Sequence, residues 1–498
     1  MSFKPEFDEF CSLAEGANLV PVYREIFADL DTPVSAFLKL DDGGDAFLLE
    51  SVQGGENWAR YSFLGTAPRK VLRSKGKRFA SGAHGEPLRW DPCDDPLRRA
   101  RQELASLRVV SIPELPRFAG GLVGFLGYDV VRSIERLPEN TEDDLAQPDL
   151  YLMLADTLVV FDNISQSMKV VSHALLGEGG DLRRAYDAAC ERIDAMIARL
   201  SRPLPREELP EVGGPPVVKS NFEQGAYERI VGRAKEYIRA GDVIQVVLAQ
   251  RFECALRSRP FDIYRCLRAL NPSPYMFFLR TGERVVLGAS PEVMARLEGR
   301  EVTVRPIAGT RPRGTGEKED RSMASELCAD PKEIAEHIML VDLGRNDVGR
   351  VAEIGSVAVT EKMIVERYSH VMHLVSNVRG ILRDGLDAFD VFRATFPAGT
   401  LSGAPKIRAM EIIEELEPVR RGVYGGAVGY FDFAGNMDTC IAIRTMVIEG
   451  GRIYGQAGAG IVADSNPESE HAECVNKSRA LFQAVKLAEG MRDVAGHR

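Results

Sequence analysis

Three stretches near the carboxyl-terminal end decide the fold class: VYGGAVGYFDF (423–433), CIAIRTMVIE (440–449) and RIYGQA (452–457). Their β-branched and aromatic residues are typical of β-strands. The three predicted strands follow one another with no helix between them, unlike the strict β-α-β alternation of parallel sheets. We therefore predict an α+β fold, with large and mainly antiparallel sheets flanked by helices.

Strand and helix patterns alternate irregularly through the rest of the chain. Apolar residues at helical spacing and proline or glycine boundary signals predict helices. They span Leu182–Leu200, Phe222–Ala240, Pro331–Leu343, Pro405–Leu416 and Pro467 to about Leu487. Further strands are predicted at Ala46–Val52, Leu152–Phe161, Met168–His173, Val243–Ala249, Val285–Leu287 and Glu301–Val304.

A break in composition divides the chain. Residues 202–218, RPLPREELPEVGGPPVV, are rich in proline, glycine and glutamate, which is typical of an exposed linker or loop. We predict one domain over 1–201, the linker over 202–218 and a second domain over 219–498, each of ordinary domain size.

Composition excludes some classes of protein. The 498 residues are 45% hydrophobic and 27% charged, an ordinary soluble globular balance. The net charge of −10 argues against a nucleic-acid binder, although a local basic patch could hold a small anion. No apolar run reaches transmembrane length, and MSFKPEFDEF does not resemble a signal peptide. Eight scattered cysteines without a C-x-x-C pair are typical of reduced thiols in a cytoplasmic protein.

Two predicted helix starts carry the same acidic pattern. In DPKEIAE (330–336) and SNPESEHAE (465–473), a polar cap and a proline precede a Glu-x-x-Glu pair. The pairs are Glu333 with Glu336 and Glu470 with Glu473, and each lies on one helix face. If the helices face each other, Mg²⁺ would offset the repulsion among the converging carboxylates. The alternative is two solvated faces, since glutamate is favoured near a helix N-terminus in any case.

Three segments are candidates for anion contacts. QAGAGI (456–461) follows a strand, PIAGTRPRG (306–314) combines a tight turn with two arginines, and TLSGAPK (400–406) precedes a helix.

Single residues near these segments carry two interpretations each. Arg444 lies among apolar residues and needs a carboxylate partner, which is either a substrate or an internal salt bridge. Lys477, one turn after Glu473, either faces the same ion or is a surface lysine. His373, in YSHVMHLV (368–375), is either a buried core residue or a catalyst.

Taken together, these segments resemble the chorismate-utilising enzymes, and most closely the large synthase subunits of anthranilate synthases. The motifs are PIAGTRPRG (306–314), ELCADPKEIAEHIMLVDLGRNDVGRV (326–351), ERYSHVMHLVS (366–376), FPAGTLSGAPKIRAMEIIEELEP (396–418), YGGAVGYFDF (424–433) and GQAGAGIVADSNPESEHAECVNK (455–477), extended by LLES (48–51) and NPSPYMFF (271–278). The resemblance implies a layered α/β fold with the active site in a cleft between large antiparallel sheets. It makes 219–498 the chorismate-binding catalytic domain, and in this family domains can interleave along the chain.

The resemblance also implies a role for each matching residue. Glu336 and Glu473 match Mg²⁺ ligands, and Glu333 and Glu470 match the carboxylates that support the metal. The surroundings of the ring carboxylate of chorismate are matched by Gly309, Thr310, Gly458 and Lys477. The pocket for its enolpyruvyl carboxylate is matched by Tyr424, Arg444 and Gly460. Residues beside the reacting ring are matched by His373 and Thr400, and the acid that protonates the leaving group by Glu292.

Two positions narrow the implied reaction. Gln245 stands where isochorismate and salicylate synthases carry the lysine that activates water, and an amide cannot act as that base. Ala308 stands where many aminodeoxychorismate synthases carry a nucleophilic lysine. The resemblance therefore implies that ammonia attacks chorismate and that anthranilate and pyruvate are formed. The sequence has no G-x-C-x-G amidotransferase motif, so we expect a separate glutaminase subunit to supply the ammonia.

LLES and NPSPYMFF resemble a feedback pocket for tryptophan, and the alternative is an ordinary buried strand with a proline-rich turn. The expected inhibitor contacts are Leu49, Glu50, Ser51, Asn271, Pro274, Tyr275 and Met276. Glu50 and Ser51 would hold the ammonium group of tryptophan, and Pro274, Tyr275 and Met276 would enclose its indole ring.

Two other functions stay open. One is an aminodeoxychorismate synthase or an aminodeoxyisochorismate synthase. The other is a tryptophan-binding regulatory protein with an inactive site, against which the glutamate quartet, His373 and Arg444 argue.

Overall fold

Two twelve-stranded β-sheets form the centre of the protein. The structure is a computed structural model that describes residues 2–52, 60–177, 180–205, 216–368 and 371–495. Neighbouring strands in both sheets are antiparallel. The predicted α+β fold with large antiparallel sheets is confirmed.

The strands are β1 (Leu19–Phe27), β2 (Ala46–Glu50), β3 (Tyr61–Thr66), β4 (Lys70–Lys75), β5 (Arg78–Ala83), β6 (Trp90–Pro92), β7 (Gly121–Leu126), β8 (Leu150–Ala155), β9 (Thr157–Asp162), β10 (Ser167–Leu175), β11 (Lys219–Ser220), β12 (Gln245–Ala255), β13 (Tyr275–Thr281), β14 (Arg284–Ser290), β15 (Val293–Glu298), β16 (Glu301–Val304), β17 (Ile307–Pro312), β18 (Ala358–Arg367), β19 (Val371–Ile381), β20 (Gly403–Ala404), β21 (Ala427–Asp432), β22 (Met437–Ile441), β23 (Thr445–Glu449) and β24 (Arg452–Ile461).

The helices are α1 (Phe7–Leu13), α2 (Pro33–Leu40), α3 (Pro96–Ala105), α4 (Leu182–Leu200), α5 (Gln224–Ala240), α6 (Pro260–Leu270), α7 (Glu317–Ala329), α8 (Pro331–Gly349), α9 (Ala388–Thr395), α10 (Gly399–Ser402), α11 (Lys406–Leu416) and α12 (Pro467–Ala495), with a 3₁₀ turn at Tyr128–Ser133.

Each sheet combines strands from both ends of the chain. The first sheet has the order β1-β10-β9-β3-β2-β13-β14-β23-β24-β12-β11, with β20 beside β12. The second has the order β17-β19-β16-β15-β22-β21-β7-β8-β4-β5-β6, with β18 also paired to β19. Segments 1–201 and 219–498 thus share both sheets. The domain boundaries stay a prediction, and residues 206–215 of the predicted linker lie outside the described residues.

The sheets stack on each other, and helices cover their outer faces. Successive residues of a strand point to opposite faces, so Phe47 and Leu48 of β2 enter different cores. Leu48 packs with helix residues such as Phe37 and Phe261, whereas Phe47 packs with residues of the second sheet, including Val123. The result is a four-layer arrangement of helices, sheet, sheet and helices.

Two of the predicted strands each correspond to a pair of observed strands that lie in different sheets. Those two predictions were therefore wrong in detail. Leu152–Phe161 is divided at Asp156 between β8 and β9, and Cys440–Glu449 is divided at 442–444 between β22 and β23. Their apolar patterns run on because the chain stays buried while it crosses between sheets. The strand predicted from Val423 begins at Ala427, after a turn that contains Tyr424.

The five helix predictions were correct in position. α8 and α12 extend beyond their predicted ends, and α5 and α11 begin one or two residues after their predicted starts. α4 has the predicted bounds, and Asp330 caps α8 by accepting hydrogen bonds from the N–H groups of Lys332 and Glu333. α8 continues to Gly349 because Gly344, without a side chain, can lie against Val304 of the sheet. None of the helices in the described ranges is long and apolar enough to cross a bilayer. All eight cysteines are described, and none of them forms a disulfide bond.

Replacing a core phenylalanine of α9, which packs against the second sheet, should lower the free energy of unfolding. Phe392 is fully buried, and its ring centroid lies 4.8 Å from that of Phe396 and 6.0 Å from that of Phe431. We expect Phe392→Ala to cost about 3–5 kcal/mol in urea unfolding. Phe27→Ala makes the same chemical change at a side chain that is 75% exposed, and should have little effect. Equal losses in both variants would contradict the described packing.

Candidate functional site

One cavity of about 760 Å³ contains every residue predicted for the metal, substrate and catalytic positions. It is lined by β12 and β24 from the first sheet, by β17 and β19 from the second, and by α8 and α12. The predicted residues that it gathers are Gln245, Glu292, Gly309, Thr310, Glu333, Glu336, His373, Thr400, Tyr424, Arg444, Gly458, Gly460, Glu470, Glu473 and Lys477.

Glu292 and Arg444 occupy the points where the chain crosses from one sheet to the other. Glu292 lies between β14 and β15, and Arg444 lies between β22 and β23. Arg444 has a φ of 49°, in the left-handed region that is unusual for a residue with a side chain. The sharp change of direction thus places an acidic side chain, Glu292, and a cationic side chain, Arg444, on the cavity wall.

Glu292 is suited to donating a proton. It is buried, and Thr400 Oγ1 donates a hydrogen bond of 2.8 Å to its Oε1. Burial raises the pKa of Glu292 to about 8, more than the hydrogen bond from Thr400 lowers it. The carboxyl group is therefore largely protonated at neutral pH, as a general acid needs to be.

His373 is suited to accepting a proton. Its Nδ1 lies 2.8 Å from the carbonyl oxygen of Gly309 and 3.1 Å from Thr310 Oγ1. Because a carbonyl oxygen only accepts, Nδ1 carries the proton and Nε2 keeps its lone pair in the neutral ring. Burial lowers the pKa of His373, so the neutral form is favoured at pH 7.

The four predicted glutamates share the cavity and repel one another. Burial raises the pKa of Glu336, and the charges of Glu333 and Glu473 raise it further. Burial also raises the pKa of Glu470, to which the charge of Glu473 contributes. Clustered carboxylate oxygens suit a hard divalent cation such as Mg²⁺, so these residues fit the ion that the sequence predicts.

Internal cations balance part of this negative charge. Arg311 Nη1 lies 2.9 Å from Glu333 Oε1, and Lys477 Nζ lies 2.7 Å from Glu473 Oε1. Within the described ranges, no three acidic, histidine or cysteine side chains are close enough to form a ready-made metal site. Binding of a cation would therefore require the glutamate side chains to exchange partners.

Arg444 supports the anion-binding interpretation better than the two arginines of PIAGTRPRG do. In the part of the chain that the structure describes, no carboxylate oxygen lies within salt-bridge distance of Arg444. By contrast, Arg311 is bound by Glu326, Asp330 and Glu333, and Arg313 is bound by Asp320. The expectation that this pair of arginines contacts an anion is therefore not supported.

The segment QAGAGI is part of strand β24, so the loop predicted there was wrong, whereas its contact with an anion stays a prediction. Its residues pair continuously with β12, from Val246 with Ile461 to Arg251 with Gln456. Gly460 also leaves room for a neighbouring side chain, because a Cβ at this position would lie 2.4 Å from Gln245 Nε2. Gln245 can therefore lie across the strand and donate a hydrogen bond to Glu336.

Most of the residues predicted for an inhibitor line a second cavity of about 410 Å³. They are Leu49, Glu50, Ser51, Pro274, Tyr275 and Met276. Asn271 lines the larger cavity instead, together with Pro272 and Ser273. The segment 271–276 therefore contributes three residues to each cavity.

Glu50 has partners that its predicted role did not anticipate. Its carboxylate accepts a hydrogen bond of 2.6 Å from Tyr264 and pairs with Arg268 at 3.1 Å, both on α6. A ligand ammonium group would have to displace these partners. Glu50 contacts α6 because successive side chains of a strand point to opposite faces, so Leu49 and Ser51 point away from this helix.

Sequence reasoning missed the charged end of the second cavity. Asp438 accepts a hydrogen bond of 2.7 Å from Tyr275 and pairs with Arg296 at 2.7 Å, while Arg117 lies 3.6 Å from it. These residues come from distant strands and loops, and no local pattern marks them. In the larger cavity, Lys332 was also missed, although its place beside Glu333 on α8 was a usable signal.

Comparison with known proteins identifies the family. A family profile described as "chorismate binding enzyme" matches residues 45–483. The chain therefore belongs to the chorismate binding enzymes. Among its relatives, anthranilate synthase component 1 of Pseudomonas aeruginosa is 52% identical over 97% of this chain and 99% of that protein. The protein of the same name from Acetivibrio thermocellus is 45% identical over 98% of this chain and 100% of that protein. The resemblance stated from the motifs is confirmed.

Solved structures agree with this assignment. The crystal structure of anthranilate synthase component I from Streptococcus pneumoniae matches with a TM-score of 0.77 at 38% identity, over 92% of this chain and 99% of that one. The menaquinone-specific isochorismate synthase MenF of Escherichia coli matches with a TM-score of 0.70 at 19% identity, over 96% of this chain and 98% of that one. At that identity, the second match shows the fold alone.

The protonation of Glu292 can be tested without any substrate. Because its pKa is raised to about 8, infrared difference spectra between about pH 6 and about pH 10 should show the loss of a protonated carboxyl band. The part of that band that belongs to Glu292 should be missing in Glu292→Gln and retained in Glu319→Gln, a change at an exposed position. A wild-type spectrum that matches Glu292→Gln would contradict a raised pKa.

Proposed function

We propose that the protein is the synthase component of an anthranilate synthase and converts chorismate and ammonia to anthranilate and pyruvate. The observation that carries this choice is the pair Gln245 and Ala308, which both line the cavity. Neither side chain can act as the lysine does that related synthases carry at these positions to activate water or attack the ring, which supports external ammonia as the nucleophile. The names and the high identity of the relatives support the same reaction.

We further propose that the cavity holds Mg²⁺, with Glu336 and Glu473 as ligands and Glu333 and Glu470 as supporting carboxylates. The mutual repulsion of these groups, which contributes to the raised pKa of Glu336 and of Glu470, supports the proposal. When bound, Mg²⁺ supplies positive charge that attracts the ring carboxylate of chorismate and counters the acidic wall.

The remaining groups hold the substrate in place. Arg444, with Tyr424 and Gly460 nearby, would bind the enolpyruvyl carboxylate, since Arg444 has no carboxylate partner of its own among the described residues. Thr310, with Gly309, Gly458 and Lys477, would surround the ring carboxylate.

Two protons then move at defined atoms. As ammonia adds at C2 of the ring, the C4 hydroxyl leaves, and the protonated carboxyl of Glu292 would donate the proton that makes it water, while the new ammonium group gives up a proton to solvent. A base then removes the proton at C2, for which the Nε2 lone pair of His373 is suited. The C3–O bond breaks, and the enolpyruvate that leaves takes up a proton and becomes pyruvate. Thr400 would steady Glu292 during the first step through its 2.8 Å hydrogen bond.

The source of ammonia would be a separate glutaminase subunit, the amidotransferase component. The designation "component 1" in the relatives' names and the absence of a G-x-C-x-G motif from this sequence support a second component. Free ammonia at high pH should replace that subunit, because the unprotonated form is the nucleophile. A cytoplasmic location fits this function and stays a prediction.

The smaller cavity would bind tryptophan and inhibit the enzyme. Its apolar lining, with Tyr275 and Met276, and its charged end at Asp438 suit an amino acid with a large ring. Segment 271–276 lines both cavities, so a ligand in one can bias the arrangement of the other.

The metal proposal predicts a large loss of activity in Glu473→Gln. Removing one carboxylate ligand should lower the rate of anthranilate formation from chorismate, ammonium and Mg²⁺ by on the order of 100-fold. Anthranilate fluorescence and released pyruvate measure that rate. The matched control is Glu468→Gln on the same helix, whose exposed side chain does not line the cavity.

Chelation of divalent ions should abolish wild-type turnover, and added Mg²⁺ should restore it. Full activity of Glu473→Gln or of the chelated enzyme would contradict the metal site. Pyruvate-free formation of an aminated chorismate would favour an aminodeoxychorismate or aminodeoxyisochorismate synthase. Tryptophan binding without any turnover would favour the regulatory protein.

The inhibitor proposal predicts that Ser51→Phe weakens tryptophan inhibition at least about 10-fold, because a bulky ring would fill part of a small cavity. The measurement is the tryptophan concentration that halves the rate of anthranilate formation. Ser12→Phe, at an exposed position on α1, is the control and should keep wild-type sensitivity. Unchanged sensitivity of Ser51→Phe would move the inhibitor site elsewhere.

A further inference from the structure

A fully buried ion pair lies directly beneath the larger cavity. Arg421 and Glu417 have side chains that are 2% and 4% exposed. Arg421 Nε donates to Glu417 Oε2 at 2.9 Å and Nη2 donates to Glu417 Oε1 at 2.5 Å, so the pair is bidentate. Neither residue lines the cavity or belongs to the predicted site.

The pair also satisfies backbone groups from two other elements. Arg421 Nη1 donates to the carbonyl oxygen of Leu401 at 2.6 Å, and Nη2 donates to that of Val247 at 2.8 Å. Glu417 Oε1 accepts a hydrogen bond of 2.8 Å from the N–H of Ala249. The pair therefore ties β12 to α10.

The turn before β21 and strand β24 also join this network. Tyr424 follows Arg421 in the turn before β21, and the guanidinium carbon lies 5.8 Å from the centre of its ring. The carbonyl oxygen of Arg421 accepts a hydrogen bond of 3.0 Å from the side chain of Gln456 on β24.

The residues that this network holds form one wall of the cavity. Val247, Leu401, Tyr424 and Gln456 all line it. Leu401 directly follows Thr400, whose hydroxyl donates to Glu292. A shift of the Leu401 carbonyl would thus move the hydroxyl that steadies the proton donor.

Burial of an ion pair is weak evidence for stabilisation, because desolvation of two charges offsets much of their attraction. An apolar pair could fill the same volume, but it could not donate to Leu401 and Val247 or accept from Ala249. The specific property of Arg421 and Glu417 is therefore their geometry, which fixes three elements relative to one another.

We propose that Arg421 and Glu417 are positioning residues that hold Thr400 and Tyr424 in the geometry that turnover requires. This inference rests on the proposed function of the cavity. It assigns no chemical step to the pair, since neither residue touches the space in which chorismate would lie.

The chain offers a closely matched control pair. Glu414 and Arg132 are bound at 2.6 Å, and Glu414 lies in the last turn of α11, for which Glu417 is the C-cap residue. Glu414 accepts from the backbone N–H groups of Asn140 and Thr141, and Arg132 donates to the carbonyl oxygen of Pro138. Each pair thus serves three backbone groups, but those of the Arg132 pair line neither cavity.

The experiment compares two double variants, Arg421→Met with Glu417→Leu and Arg132→Met with Glu414→Leu. Thermal melting should fall in both, because each leaves three backbone groups without partners. Anthranilate formation is then measured well below the lower melting temperature. We expect kcat to fall between about 10-fold and 100-fold and KM for chorismate to rise in the Arg421 variant alone. The control should keep both constants within about twofold of wild type.

Arg421→Lys provides a second test with a milder change. Lysine keeps the charge but cannot form the planar fork, so kcat should fall with little change in melting temperature. Wild-type kcat and KM in a folded Arg421 variant would overturn the inference. Unfolding of both Arg421 variants would also overturn it, because the pair would then serve folding alone. A wild-type protein that makes no anthranilate would instead remove the proposed function.

Discussion

The crossing of the chain between two stacked sheets is the constraint on which the site depends. At 291–292 and at 442–444 a strand of one sheet ends, and the next begins in the other. Side chains at these two points belong to neither ladder and are directed by the turn instead. Glu292 and Arg444 occupy them, and the φ of 49° at Arg444 shows how tightly the direction is fixed. Moving either crossing by one residue would exchange these side chains for uncharged neighbours.

The cavity is electrostatically divided, and each part is prepared for a different partner. On one side, glutamates of α8 and α12 crowd together and are only partly balanced by Arg311 and Lys477. On the other side, Arg444 has no carboxylate partner among the described residues. Such a division suits a ligand that carries its own negative charges and recruits a cation, because both kinds of unbalanced charge are then neutralised at once.

The sequence predicted the fold class and most element positions, and every residue that it assigned to the metal, the substrate or catalysis lines the larger cavity. It failed where information is not local. Helix caps such as Asp330 and helix stops such as Gly241 act within one helical turn, so the local sequence was enough to predict them. The division of Cys440–Glu449 between the two sheets could not be predicted, because the residues stay buried where the chain crosses from one sheet to the other. The pairing of Glu50 with Arg268 and the place of Asp438 depend on strand neighbours distant in sequence. Family motifs, rather than periodicity, carried most of the residue assignments.

The shared segment 271–276 has a consequence for how such a protein can evolve. Its first three residues line the large cavity and its last three line the small one. Natural selection on the lining of either cavity therefore acts on the same short segment. Leu49 and Ser51, by contrast, line the small cavity alone. A substitution at Leu49 or Ser51 can therefore change the lining of the small cavity alone, whereas a substitution within NPSPYM is subject to the requirements of both cavities.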